Sequence, residues 1–213
     1  MITCQCPQSA ALQTIPASGC PESFGQIQKV AFQRISTDAG EKNGFTAQAA
    51  IGVKASWTAL MAAADSTKIV ISPYIQAPAT EAGAARTFGG GNETLGGVEQ
   101  IIGREPTAFT GIIRSVKQDV IKAMKELQCE AQADNLGVFL IDENGAVECI
   151  KDETTAGTFY PIPIRSLFVG DKSHGGLEAP DSNAIQFAFL PNYSDNLSIQ
   201  VPTDFNPLTD LTV

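Results

Sequence analysis

Hydrophobic and polar residues recur with two different periods along the chain, and each period predicts a kind of secondary structure. Between Thr110 and Leu127, apolar residues recur every three or four positions, which predicts one long amphipathic helix over 110–127. The apolar stripe consists of Ile112, Ile113, Val116, Val120, Met124 and Leu127. Fully burying one aliphatic side chain is worth roughly 1.5–3 kcal/mol, so we expect this stripe to anchor the helix against a sheet.

Elsewhere the alternation has the period of two that is typical of strands. It predicts strands over 29–35, 68–75, 158–169, 184–190 and 197–201, and a hairpin of 136–142 with 146–150. The hairpin's connection contains Asn144-Gly145, the pair that favours a type I′ turn. We also predict a short helix that begins at Ser56, its capping residue, and ends at Asp65, and a loop or β-arm over 76–85.

These elements predict a β-rich α+β fold, a β-sandwich or barrel with one long flanking amphipathic helix and one short helix. The length of 213 residues favours a single β-rich domain over 26–201. Residues 1–25 show little periodicity and are predicted to form an N-terminal arm. Residues 202–213 are polar and contain prolines, and we expect this C-terminal tail to lie along the surface or to fray.

The charge composition limits the class of partner. Charged residues make up 17% of the chain, below the usual share of about a quarter, which leaves surface for neutral, self-complementary contacts or simply for small polar residues. The net charge is −9, and no run of basic residues is present. Tight nucleic-acid binding needs a basic patch, so we expect none. An acidic surface would instead repel a passing phosphate backbone.

The N-terminus and the cysteines indicate a compartment. The first residues lack the charged and apolar regions of a signal peptide, and no apolar run approaches the ~20 residues of a membrane span, so we expect no membrane partner and a start in a reducing cytoplasm. The odd number of cysteines, five, agrees with free thiols.

Cys4, Cys6 and Cys20 supply three zinc ligands at most, and a fourth would have to be remote: Cys129, Cys149 or His174. We therefore expect no metal and no cofactor.

Candidate catalytic residues are few. A Ser/His/Asp set requires the only histidine, His174, which lies in a glycine-rich segment that indicates a solvent loop. The same segment fails the phosphate-loop pattern because Asp171, rather than a lysine, follows Gly170. The carboxylate pairs Asp142/Glu143 and Asp152/Glu153 stand beside turns, where acids commonly face water. We expect no catalytic residue, although nothing in the sequence selects or excludes one of these pairs.

A glycine-rich segment runs from Thr87 to Gly97. Its spacing departs from the Gly-x-Gly-x-x-Gly dinucleotide pattern, since Thr94 stands three residues after Gly91. It therefore predicts a flexible hairpin tip or an interface loop, with apolar anchors for a neighbouring subunit. The candidate self-association residues are Phe88, Gly89, Gly90, Gly91, Leu95 and Val98.

Three segments together resemble the tail-tube and related virion structural proteins of tailed bacteriophages. They are 86–98, 109–114 and 136–145, which supply the glycine-rich loop, the start of the predicted helix and the hairpin behind it. The resemblance covers residues 25–201 as architecture. The character of the chain is also similar to that of proteins encoded by phages or prophages of gut Bacteroidetes.

The resemblance implies a structural, non-enzymatic protein whose rings, commonly hexameric, stack into a tube through which DNA passes. Its partners would be other copies of itself and other virion proteins, with edge strands pairing across subunits and the glycine-rich loop and N-terminal arm reaching the next ring. Assembly would take place in the host bacterial cytoplasm and end in the virion. The alternatives are another phage structural part, such as a tail terminator, a head–tail connector or a decoration protein, and an enzyme with an unrecognised carboxylate site.

Overall fold

Ten antiparallel strands form the main sheet of the protein, in a computed structural model that describes residues 23–211 together with 15, 17 and 19. The ten strands are β1 (Ile27–Arg34), β2 (Ile69–Ile71), β3 (Gln76–Glu81), β6 (Thr107–Arg114), β7 (Leu136–Asp142), β8 (Val147–Lys151), β9 (Phe159–Tyr160), β10 (Ile162–Val169), β11 (Ser182–Phe189) and β12 (Leu197–Gln200). Two further strands, β4 (Ala85–Phe88) and β5 (Gln100–Arg104), pair only with each other. The helices are α1 (Lys54–Ala62), α2 (Gln118–Gln132) and α3 (Pro207–Asp210).

The chain divides into two compact units. One comprises residues 24–82 and 106–213 and contains the main sheet and all three of these helices; the other comprises residues 1–23 and 83–105 and contains β4 and β5. Within the larger unit the strand order is β12-β8-β7-β10-β11-β6-β3. Strand β1 pairs along one edge of β7, while the opposite edge is shared by β10, at Val138, and β8, at Leu140 and Ile141. The sheet therefore branches at β7.

Strands β1 and β7 are buried on both faces because a hydrophobic core lies on each side of them. Alternate residues of these strands, such as Phe32 and Val138, join a first core with β6, β10, β11 and α2. The intervening residues, such as Ala31 and Phe139, join a second core with Trp57 of α1. This double burial explains why β7 is a nearly continuous apolar run in the sequence.

The β-rich α+β class is confirmed, and most of the predicted strands are present. In β11, Ile185, Phe187 and Phe189 all face the first core, as their alternation predicts. The hairpin of β7 and β8 is also present, although the type I′ turn is wrong, since Gly145 has a positive φ and Asn144 does not. A sandwich or barrel remains a prediction.

The predicted helix over 110–127 is placed too early. Residues 107–114 form strand β6, and the helix runs from Gln118 to Gln132. In β6 the odd-numbered residues Phe109, Gly111 and Ile113 are buried, which is a period of two. Gly111 also has the lower helix propensity of glycine, and Ile75 and Ile185 occupy the space beside it that a side chain would need. The helix itself buries Ile121 and Met124.

The C-terminal segment is part of the second core and is not a surface tail as predicted. Phe205, Leu208 and Leu211 are buried there. The buried Lys29 ammonium donates hydrogen bonds to the carbonyl oxygens of Leu208 (2.7 Å) and Leu211 (3.2 Å), and it lies 4.4 Å from the centre of the Tyr74 ring. Pro207, one of the two prolines that suggested an irregular tail, begins α3, where its missing N–H costs nothing.

The short helix over 56–65 is confirmed as an element, but its bounds differ and its cap does not form. Helix α1 begins at Lys54, so that Ser56 lies within the first turn and Val53 occupies the capping position without a side-chain hydrogen bond. Trp57 fixes the helix instead, because its indole N–H donates to the Ile51 carbonyl oxygen at 2.7 Å and its ring packs against Phe45.

Candidate self-association surface

The candidate self-association residues lie on the hairpin of β4 and β5, which we call the glycine-tipped hairpin (residues 83–105). In the chain, strand β3 precedes this hairpin and strand β6 follows it. Phe88 ends β4, the three glycines follow directly, Leu95 begins a short 3-10 turn (Leu95–Gly97), and Val98 follows that turn. The structure therefore brings all six residues to one end of one hairpin, and their role in self-association stays a prediction.

Apolar side chains on this hairpin face solvent. Leu95 is fully exposed, Val98 and Ile101 are each 68% exposed, and Phe88 and Ile102 are more than half exposed. Isolated exposed apolar side chains are ordinary, but this hairpin carries five within 15 residues, and concentrated exposed apolar surface is typical of interaction sites. Ile101 and Ile102 were not predicted; the signal in the sequence is their adjacency between Gln100 and Gly103, where a buried strand would show alternation.

The glycine tip is an organised turn. The Thr94 hydroxyl oxygen accepts a hydrogen bond from the Gly90 N–H at 3.0 Å, and the hydroxyl donates to the Val98 carbonyl oxygen at 2.7 Å. Gly89 has φ +88°, a conformation that favours glycine, and a side chain there would also collide with the Thr94 methyl group. The glycines are thus required by the path of the backbone, which holds Leu95 and Val98 at the tip.

The hairpin lacks a hydrophobic core of its own among the residues that the structure describes. All four β4 residues and four of the five β5 residues are exposed. A two-stranded hairpin is marginally stable in water unless a third strand or another packing surface covers it. Its ladder also contains a register shift between Arg86 and Thr87 that leaves Ile102 as the extra residue. The hairpin therefore leaves nearly all of its described strand residues exposed to solvent.

The larger unit has a groove beside strand β2, which we call the β2–α2 groove. It has a volume of about 400 Å³. Apolar side chains including Phe32, Val70, Leu127 and Leu136 form part of its lining, and charged side chains including Arg34, Lys68 and Glu130 form another part. The Arg34 guanidinium donates two hydrogen bonds to the Glu130 carboxylate, at 3.1 and 2.5 Å. These bonds link β1 to α2 beside the groove.

The remaining candidates from the sequence occupy structural positions. His174 lies in an exposed loop, with its Nδ1 atom 3.2 Å from Asp181 Oδ1. Asp142, which was expected to face water, is buried, and its carboxylate accepts hydrogen bonds from the backbone N–H groups of Gly25, Asn144 and Ala146. It therefore organises the β7–β8 turn.

Asp152 also serves a turn. Hydrogen bonds from the Thr154 N–H and hydroxyl lower the pKa of its carboxyl group. In each carboxylate pair, the aspartate is therefore held by its own turn.

The metal-ligand and thiol candidates among the described residues are also not grouped into a site. Of the residues that the structure describes, no three His, Cys, Asp or Glu side chains are grouped so as to hold a metal ion. Cys4, Cys6 and Cys20 lie outside the described residues. Cys129 is exposed and Cys149 is buried in the second core, where burial raises the pKa of its thiol to about 12. Over the described residues, no helix is both long and apolar enough to cross a membrane.

Comparison with known proteins adds one distant similarity. No protein-family model matches the sequence, and no curated protein matches it. Among solved structures, the chain is similar to one described as "Tail of empty GTA particle computed with helical refinement, C6 symmetry". The identity is 14%, the match covers 60% of this chain and 82% of that chain, and the TM-score is 0.32. At this level of similarity, neither a fold nor an assembly is transferred to the present chain.

Proposed function

We propose that this chain is a structural subunit that assembles with copies of itself into part of a phage-like virion, and that it catalyses no reaction. The observation that carries the proposal is the glycine-tipped hairpin, a two-stranded segment with five exposed apolar side chains and no hydrophobic core among its described residues. Such a segment is stabilised by burial against another surface, and further copies of the same chain are the partners always present during assembly.

The free energies of burial and association favour an assembly of many subunits over an isolated pair. Fully covering five apolar side chains contributes on the order of 7–15 kcal/mol as an upper limit. Association costs about 4–15 kcal/mol in lost freedom of motion, so one hairpin contact has little surplus. A closed ring gains several such contacts from one repeated heterologous interface, and stacked rings gain more.

Within this class, we propose rings that stack into a tube, as in the tail tubes that the sequence resembles. The partners would be other copies and further virion proteins, with assembly in the host cytoplasm. The net charge of −9 supports this form, because an acidic wall repels a phosphate backbone and lets DNA pass without binding.

The test is to follow the assembly of the purified full chain. Sedimentation velocity over a range of concentrations, followed by negative-stain electron microscopy, should show rings or tubes for the wild type. A variant that combines Phe88→Arg with Ile101→Arg should remain monomeric, because two charges would have to be desolvated at the contact.

The matched control combines Leu177→Arg with Val201→Arg, which places the same two charges at exposed apolar positions outside the hairpin. This control should assemble like the wild type. A wild-type chain that stays monomeric at every concentration would overturn the proposal, and so would a hairpin variant that assembles normally. Rings that never stack would retain self-assembly and exclude the tube.

A further inference from the structure

We propose that the glycine-tipped hairpin of one copy docks into the β2–α2 groove of a second copy, with Glu99 paired to Lys68 and Ile101 packed on Val70. This inference rests on the proposed self-assembly and names the surface that receives the hairpin. It is carried by an open strand edge, a lysine that has no ion pair among the described residues, and a matching spacing of side chains.

The first observation is that β2 is an open edge next to the groove. Strand β2 pairs with β1 through Ala31↔Ile71, Phe32↔Val70 and Gln33↔Ile69, and it pairs with no other strand of the described chain. Its Ile69 and Ile71 side chains are buried in the second core, whereas Val70 is 38% exposed and lines the groove. An open edge beside a partly apolar groove is a template for an added extended segment.

The second observation concerns the charges that line the groove. The Arg34 guanidinium is satisfied by Glu130, and the Asp65 carboxylate accepts hydrogen bonds from the N–H (2.9 Å) and hydroxyl (2.5 Å) of Thr67. Lys68, by contrast, forms no ion pair with any described residue. A cation next to an apolar lining selects a partner that presents a carboxylate beside an apolar side chain.

The hairpin presents that combination. Glu99 directly precedes β5 and makes no ion pair within the described chain, and Ile101 follows two residues later with 68% of its surface exposed. Side chains two positions apart lie on the same face of a strand. Lys68, which directly precedes β2, and Val70 have the same spacing. The two segments therefore match: Lys68 and Glu99 have opposite charges, Val70 and Ile101 are both apolar, and each pair is separated by two positions along its segment.

A charge-reversal cycle tests this pairing by sedimentation velocity on the full chain. Lys68→Glu and Glu99→Lys should each weaken association at least about tenfold, because each places like charges opposite one another. The double variant, which exchanges the two charges, should recover to within about threefold of the wild type. Recovery in the double variant is the signature of a direct contact between the two positions.

Matched controls are Lys122→Glu and Glu178→Lys, which make the same charge changes at exposed positions outside the groove and the hairpin. They should leave association unchanged. A double variant no better than the sum of its single variants would overturn the docking site.

The result also separates this inference from the proposed function. If the Phe88→Arg/Ile101→Arg variant fails to assemble while Lys68→Glu assembles normally, self-assembly through the hairpin stands and the groove is not its receptor. If the wild type never assembles, both fail. If the protein sediments as a monomer while the groove is inaccessible to solvent, the hairpin occupies the groove of its own chain. That result also overturns the contact between copies.

Discussion

The C-terminal segment offers a direct test of the second core, because the sequence and the structure predict different results for the same substitution. Leu211 is 2% exposed and packs in the core that contains Trp57. Replacing a buried leucine by alanine costs about 2–5 kcal/mol, from lost burial and from the cavity that remains. Because Leu211 follows the four-residue helix α3, a short segment that can shift to fill part of the cavity, we expect the lower part of that range for Leu211→Ala, about 2–3 kcal/mol.

The measurement is urea unfolding followed by fluorescence. Trp57 is the only tryptophan in the chain and is fully buried, so its emission reports on this core. With a slope of about 2 kcal/mol per molar urea, the midpoint should fall by about 1 M. Val201→Ala, at a position that is 70% exposed, is the control and should change stability by less than about 0.5 kcal/mol. A Leu211→Ala variant within about 0.5 kcal/mol of the wild type would mean that the segment frays and that the packing described above is wrong.

Three further predictions concern single positions. Gly89→Ala should destabilise the hairpin tip by about 1–3 kcal/mol, because φ there is +88° and a side chain lacks space. Hydrogen exchange of the backbone amides over 85–104 should become faster. The control Gly52→Ala, at a position with open space, should leave that exchange rate unchanged. Cys149 should resist alkylation at pH 8 in the folded protein because burial raises its thiol pKa to about 12, while the exposed Cys129 reacts; peptide mapping by mass spectrometry distinguishes them, and equal labelling would contradict the burial. Glu148→Gln should stabilise the protein near pH 7, since burial raises the pKa of this carboxyl group above its ordinary 4.5. The fold favours the protonated Glu148 carboxyl, so its contribution to stability is present below pH 4.5 and is lost as the pH rises. The gain in melting temperature from Glu148→Gln should therefore shrink below pH 4.5. A gain that does not depend on pH would refute burial of the charge as its cause.

The strands with clean alternation were predictable from sequence because each has one buried face. In β11 the large residues Ile185, Phe187 and Phe189 recur at every second position, and no helical pattern competes with them. The error over 110–114 has the opposite cause: Ile112 and Ile113 are adjacent, so the segment satisfies both a period of two and a helical period. Pairing with β11 and β3 on its two sides decides in favour of a strand, and that information is not local to the segment.

The candidate surface was predictable in part. Glycines in series predict backbone conformations that other residues avoid, and the structure places them at a hairpin tip. The role of Thr94 was not predictable, because its hydroxyl acts on groups four residues away on either side, Gly90 and Val98. The β2–α2 groove was also beyond the sequence, since β1, β2 and α2 come together only in the folded chain. The self-association role itself stays a prediction.

The shared position of β7 between the two cores has a consequence for how the larger unit opens. Every residue of β7 is buried, and alternate side chains serve opposite cores, so neither core can lose its packing without disturbing the other. We expect the larger unit to melt in a single cooperative step, with the slowest amide exchange in β7. The described residues of the glycine-tipped hairpin belong to neither core. Substitutions in the hairpin should therefore alter the proposed self-association with little effect on the stability of the larger unit.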